Sequence, residues 1–108
     1  MLVSDLAGWR RERMPEIPSS AAFELAPDWI CEVLSDSTSA TDRADKMPIY
    51  AQEKVSHLWL VDPIARTLEA YRLDAERWTL LGTWRDAARV RVEPFDAIEL
   101  ELAALWAR

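Results

Sequence analysis

The chemistry available to this chain centres on one carboxylate in an unfavourable place. Glu32 lies in the apolar run Cys31-Glu32-Val33-Leu34, where burying an unpaired charge costs several kcal/mol. Such a group is either paired locally or has a ligand. Asp28, just after Pro27, is four residues away. On a strand the two side chains would share a face but lie roughly 13 Å apart, at about 3.3 Å per residue. A single cation with oxygen ligands at about 2.1 Å cannot span that gap. The partner acid must come from another strand, and Asp5 in "LVSDLAGW" is the available one. Asp5 and Glu32 are therefore expected on adjacent strands with their carboxylates facing one another.

Many metal-dependent nucleases carry Glu-x-Lys on a strand, so that acid and lysine point the same way. Here the position two beyond Glu32 is Leu34. Lys46, on the helix expected next, can take the lysine's place. Asp42, Lys46 and Tyr50 are spaced i, i+4, i+8 and share one helical face. An ammonium there would hold an attacking water and offset phosphate charge in a transition state. The plainer reading makes Asp42 and Lys46 a surface ion pair of little worth. The dense basic cluster Arg10-Arg11-Glu12-Arg13 offers Arg10, Arg11 and Arg13 as candidate phosphate contacts, or is simply a solvated loop.

These residues need a scaffold. Residues 2–9 read as a short strand, and residues 10–26, with Pro15, Pro18 and a Ser-Ser pair, as a loop. Residues 27–34, "PDWICEVL", read as a second strand. "SDSTSAT" supplies several helix N-caps, and a helix is expected to about Lys54, with Pro48 awkwardly inside it. "HLWLVD" reads as a central buried strand. "TLEAYRL", "RWTLLGTW" and "RVRVEPF" continue a meander, and "AIELELAALW" closes it with a turn and short helix. The expected class is α/β (α+β), a single domain over residues 1–108 with a mixed sheet, one main helix and a C-terminal antiparallel meander.

The remaining features mostly exclude. With half of the residues hydrophobic, disorder is not expected, and no apolar run approaches a bilayer span. The single cysteine, Cys31, forms no internal disulfide and suits a reducing cytoplasm. A net charge of −6 argues against indiscriminate nucleic-acid binding but leaves room for a local site in which metal neutralises the acids. His57, the only histidine, is read as structural, since a zinc or histidine-nucleophile site needs further groups. Trp9 and Trp29 flank the proposed acids and are the better base-stacking candidates among six tryptophans, though packing is the default. The hydroxyls of Ser35, Ser37, Thr38 and Ser39 lack the turn of a nucleophile elbow, and two glycines cannot build a phosphate loop.

The segment from Pro27 to Leu73 resembles the Uma-two family of restriction-endonuclease-like proteins, within the PD-(D/E)xK nuclease superfamily. The resemblance is carried by Pro27, Asp28, Glu32, Val33, Ser35, Asp42, Lys46, Tyr50, Trp59, Val61, Asp62 and Pro63, and "LVSDLAGWRRER" resembles the family's first acidic strand. It implies a restriction-endonuclease-like core and Asp5 and Glu32 as ligands of magnesium or manganese. It further implies Lys46 as the displaced lysine, Asp42 and Tyr50 in support, and hydrolysis of nucleic acid, DNA first. Ser4 stands where the family usually has proline, and members commonly carry an N-terminal helix and strands ahead of Asp5. A sheet without that cover exposes an apolar face and an edge, so a homodimer covering the face near Asp5 and Trp9 is expected. The alternative to an endonuclease is a shortened, non-catalytic relative that serves as a binding or assembly module.

Overall fold

A computed structural model describes residues 5–14, 25–35 and 37–106. The expected strand's start at residues 2–4 and most of the proline-bearing loop lie outside them. Five strands form one sheet in the order β1 (Leu6–Gly8), β2 (Trp29–Val33), β3 (His57–Asp62), β4 (Thr67–Asp74), β5 (Arg77–Arg85). Only β2 and β3 are parallel; the other neighbours are antiparallel. A parallel pair needs a crossover, supplied here by a π-helical segment, Thr41–Lys46, running into α1, Met47–Gln52. The arginine-rich run does not extend the meander. Only Arg89–Val90 is strand (β6), paired with Leu100–Glu101 (β7) in a separate two-stranded sheet before α2, Ala103–Trp106.

Strand β3 is the middle of the five, and His57 to Val61 are all buried. Alternation then sorts the side chains onto two faces. Ile30, Leu58 and Leu60 pack with Leu34, Tyr50 and Val55 under the helix. Cys31, Trp59, Val61, Leu68 and Ala70 pack on the opposite face against Val90, Val92 and Leu102. Each leucine fully buried this way contributes about 1.5–3 kcal/mol. A bulge in β5 assigns its tryptophans: Ala70 pairs with Gly82 but Tyr71 pairs with Leu80. The extra residue reverses the alternation, so Trp84 packs on the Leu102 side and Trp78 on the helix side.

The hairpin between β4 and β5 turns through Ala75 and Glu76, both with positive φ (48° and 69°). That matches the two-residue turn usually written Asn-Gly. Asp62 ends β3 by accepting the N–H groups of Ile64 and Ala65, each at 3.0 Å, an Asx turn that starts the return strand. The helix departs from its expected form at both ends. Thr38 does not cap it: its hydroxyl accepts the Ser35 N–H at 3.2 Å, and the Ser35 hydroxyl meets those of Ser37 and Thr38. Pro48, which has no N–H and crowds the preceding turn, falls in the first turn of α1. Immediately before it the Met47 N–H reaches back five residues to the Asp42 carbonyl. The widened π turn is how one proline fits inside a continuous helix.

Candidate active site around Glu32

Glu32 is 1% exposed, on the helix face of β2. It is not unpaired. The Tyr50 hydroxyl donates to Glu32 Oε1 at 2.6 Å, and Lys46 Nζ lies 3.5 Å from Oε2. Lys46 also sits 3.3 Å from Asp42, whose carboxylate is itself buried. Asp42, Lys46 and Tyr50 thus share the helical face their spacing predicts. The surface-pair reading of Asp42 and Lys46 fails, because the acid is 2% exposed and the lysine is turned inward.

Asp5 immediately precedes β1. The antiparallel register pairs Leu6 with Cys31 and Ala7 with Ile30, so one further step sets Asp5 opposite Glu32 and on its face. One Asp5 carboxylate oxygen accepts the Val33 N–H at 2.7 Å. Here the side chain takes over where the β1 backbone ends. Asp28 has a different occupation. Its carboxylate accepts the Arg10 N–H at 2.7 Å and pairs with the Arg13 guanidinium, clamping the turn after β1. Arg13 is therefore engaged within the protein, while Arg10 and Arg11 are exposed on that turn. The turn follows the far end of β1, about 15 Å from Asp5 at strand spacing, so the fold does not gather the arginines around Glu32.

The electrostatics follow from three carboxylates, Asp5, Glu32 and Asp42, around one ammonium. Burial pushes the Glu32 carboxyl above the usual carboxylate range. The Tyr50 hydrogen bond and Lys46 pull it down, and Asp42 and Asp5 push it further up. Burial alone would lower the pKa of Lys46, but its hydrogen bond to Asp42 and the charge of Glu32 outweigh burial and raise it. An ordinary ion pair would depress its acid. Here both members are raised, for different reasons: burial dominates at Glu32, while the neighbouring Asp42 and Glu32 carboxylates outweigh burial at Lys46. Tyr50 is also raised, by burial and then by Glu32, and stays a hydrogen-bond donor. Burial, with Asp5 and Glu32 behind it, pushes the Cys31 thiol up to about 12, so it is an inert core group.

The other candidates are structural. His57 Nε2 meets Glu93 at 3.0 Å, and Trp59 Nε1 donates to the Glu93 carbonyl at 2.8 Å. Trp29 packs edge-on against Trp59 and Phe95, with centroids at 5.3 and 5.0 Å, and Trp9 Nε1 donates to the Leu25 carbonyl. Sequence reasoning passed over Glu69, Tyr71 and Arg43. Glu69 Oε1 accepts from Arg43 at 2.8 Å and Oε2 from the Tyr71 hydroxyl at 2.6 Å. Alternation in "TLEAYRL" places Glu69 and Tyr71 on one face, and knowing that a helix covers that face would have singled them out.

The fold recurs in a solved structure. A crystal structure titled as a putative nuclease belonging to DUF820, from Anabaena variabilis, superposes with a TM-score of 0.71 at 24% identity. The alignment covers 97% of this chain and 59% of that one. The profile of the Uma2 family, described as "Putative restriction endonuclease", matches residues 2–104, and the chain belongs to that family. A search of curated proteins gives no match.

Proposed function

We propose that the chain is a metal-dependent endonuclease that hydrolyses phosphodiester bonds in DNA at the Asp5–Glu32–Lys46 site. The observation that carries this reading is the buried Glu32, held by Tyr50 and Lys46 with the Asp42 carboxylate on the same lysine. Membership of a family described as "Putative restriction endonuclease" supports the substrate class.

The donor set suits magnesium or manganese. These hard cations take oxygen ligands and are commonly held by one or two carboxylates together with water and substrate phosphate. A carboxylate has about four acceptor positions. Asp5 uses one on Val33, and Glu32 uses two on Tyr50 and Lys46, so both retain capacity for a cation. Among the described residues no group of three or more His, Cys, Asp or Glu side chains is close enough together to hold a metal ion. When bound, the ion would polarise the scissile phosphate and lower the pKa of an attacking water.

The chain's own residues do the rest. Tyr50 fixes the Glu32 carboxylate through a short charge-assisted hydrogen bond, so its second oxygen faces Lys46 in one orientation. Lys46, raised in pKa and protonated at neutral pH, donates to the water or to the phosphate oxygen that gains charge. Asp42 keeps the ammonium at the site when Glu32 is engaged. Arg10 and Arg11 bind phosphates away from the reacting one, and a second copy covers the exposed Leu6 and Val33 beside Asp5. Static light scattering at micromolar concentration checks this pairing.

The test of function is cleavage of supercoiled plasmid and single-stranded DNA by the purified chain with magnesium or manganese. Nicking that chelator abolishes supports the reading. Full activity in chelator, or none on either substrate with either ion, contradicts it.

A further inference from the structure

Glu69 lies in the same cross-strand row as Glu32. Glu32 pairs with Leu60 on β3, and Leu60 pairs with Glu69 on β4. The two carboxylates therefore point to the helix face, roughly 10 Å apart at two strand spacings. Each is held in the same manner, by a tyrosine hydroxyl at 2.6 Å and by a cation from the π segment. Lys46 meets Glu32, and Arg43, three residues earlier, meets Glu69. The guanidinium also donates to the Ser39 hydroxyl at 2.7 Å, tying the start of the helix to the same point.

This second contact has a mechanical consequence. The π segment is an internal stretch of a continuous helix and carries the widened turn before Pro48, a looser hydrogen-bond pattern than the α turns beside it. Lys46 lies 3.5 Å from Glu32 and 3.3 Å from Asp42, distances that a rotation of the segment would change. The Arg43–Glu69 pair is shorter, at 2.8 Å, and Glu69 is itself fixed by Tyr71. We propose that Glu69, acting through Arg43, is a positioning residue that sets the rotation of the π segment and so holds Lys46 beside Glu32. The proposal rests on the endonuclease reading for its effect on rate, but the latch itself stands apart from it.

The experiment compares Glu69→Gln, Arg43→Met and the double variant in plasmid cleavage and in backbone hydrogen exchange. Glu69→Gln keeps an acceptor for Tyr71 and removes the charge that holds Arg43. Each single change is expected to lower kcat by about tenfold to a hundredfold with KM for DNA unchanged, as for a catalytic group displaced by about 1 Å. The double variant should lose no more than the worse single, because the two act as one unit. Amides of residues 41–50 should exchange faster in all three variants, while those of β3 do not change. A raised KM in Arg43→Met with Glu69→Gln silent would make Arg43 a direct phosphate contact and overturn the proposal. Unchanged exchange over residues 41–50 would overturn it as well. If the unaltered chain does not cleave, the endonuclease reading fails and the exchange experiment still decides the latch. Should Glu69→Gln fail to fold, Arg43→Met, which alters a side chain 42% exposed, carries the same comparison.

Discussion

The two faces of the sheet are built from alternate residues of the same strands, yet they solve different problems. The face against Val90, Val92 and Leu102 is apolar and aromatic, with its buried polar group, His57, kept at the strand's start and bonded to Glu93. The helix face has apolar residues of similar kind, Ile30, Leu58, Leu60 and Val55, but encloses Glu32 and Asp42. A face that only had to fold would fill those positions with hydrocarbon, because replacing buried ion pairs by packed apolar groups is often neutral or stabilising. The contrast is what the proposed site requires: the helix face keeps a charged centre where a purely structural face would hold hydrocarbon.

The largest expected effect is on the helix face. Glu32→Gln keeps the shape and removes the ligand charge. It should reduce metal-dependent cleavage at least about a thousandfold, the equivalent of ~4 kcal/mol of transition-state stabilisation. Retained cleavage in that variant would move the site elsewhere. Lys46→Ala removes a donor and not a ligand. It is expected to lower kcat by about a hundredfold and to leave metal affinity nearly intact, which a metal titration beside the kinetics can check.

On the other face the expectation reverses. Leu68→Ala, at a fully buried position, should destabilise by about 2–5 kcal/mol in urea unfolding while turnover per folded molecule stays the same. A Leu68 variant of normal stability and lost turnover would erase the distinction between the faces.

The smallest effect is the most specific. Burial raises the Glu32 pKa in the folded chain. Between the ordinary carboxylate value of 4.5 and that raised value, the folded state therefore holds a proton the unfolded state has lost. Stability from this group is fully present below the lower value, falls as pH rises through the window, and is lost above it. Each unit of elevation is worth about 1.4 kcal/mol. Glu32→Gln has no such proton, so its stability relative to the unaltered chain should improve as pH rises through that window above 4.5 and then level off. Glu93, held below its usual range chiefly by its hydrogen bond with His57, gives the opposite slope in both proteins and cancels in the difference. A gap that does not change with pH would mean Glu32 is not desolvated.

Much of this was legible in the sequence, and unevenly. Strands β3, β4 and β5 stand where alternation and turn residues place them. The face shared by Asp42, Lys46 and Tyr50 follows from spacing alone, and the placing of Asp5 and Glu32 on neighbouring strands follows from a distance argument. Three things were not legible. The π turn depends on how the helix accommodates Pro48, which a period count cannot see. Spacing excludes Asp28 as a co-ligand of Glu32 but does not show its work as a clamp on Arg10 and Arg13, a contact between segments far apart in sequence. Glu69 looks like any solvent-facing position in an alternating strand until the helix is laid across it.

The central claim is that Asp5 and Glu32 together hold one cation. Manganese binding followed by electron paramagnetic resonance tests it without any nucleic acid. The unaltered chain should bind one Mn²⁺ that magnesium competes away. Asp5→Asn and Glu32→Gln should each abolish that site, and Lys46→Ala should keep it. Manganese bound equally well by Glu32→Gln would contradict the account.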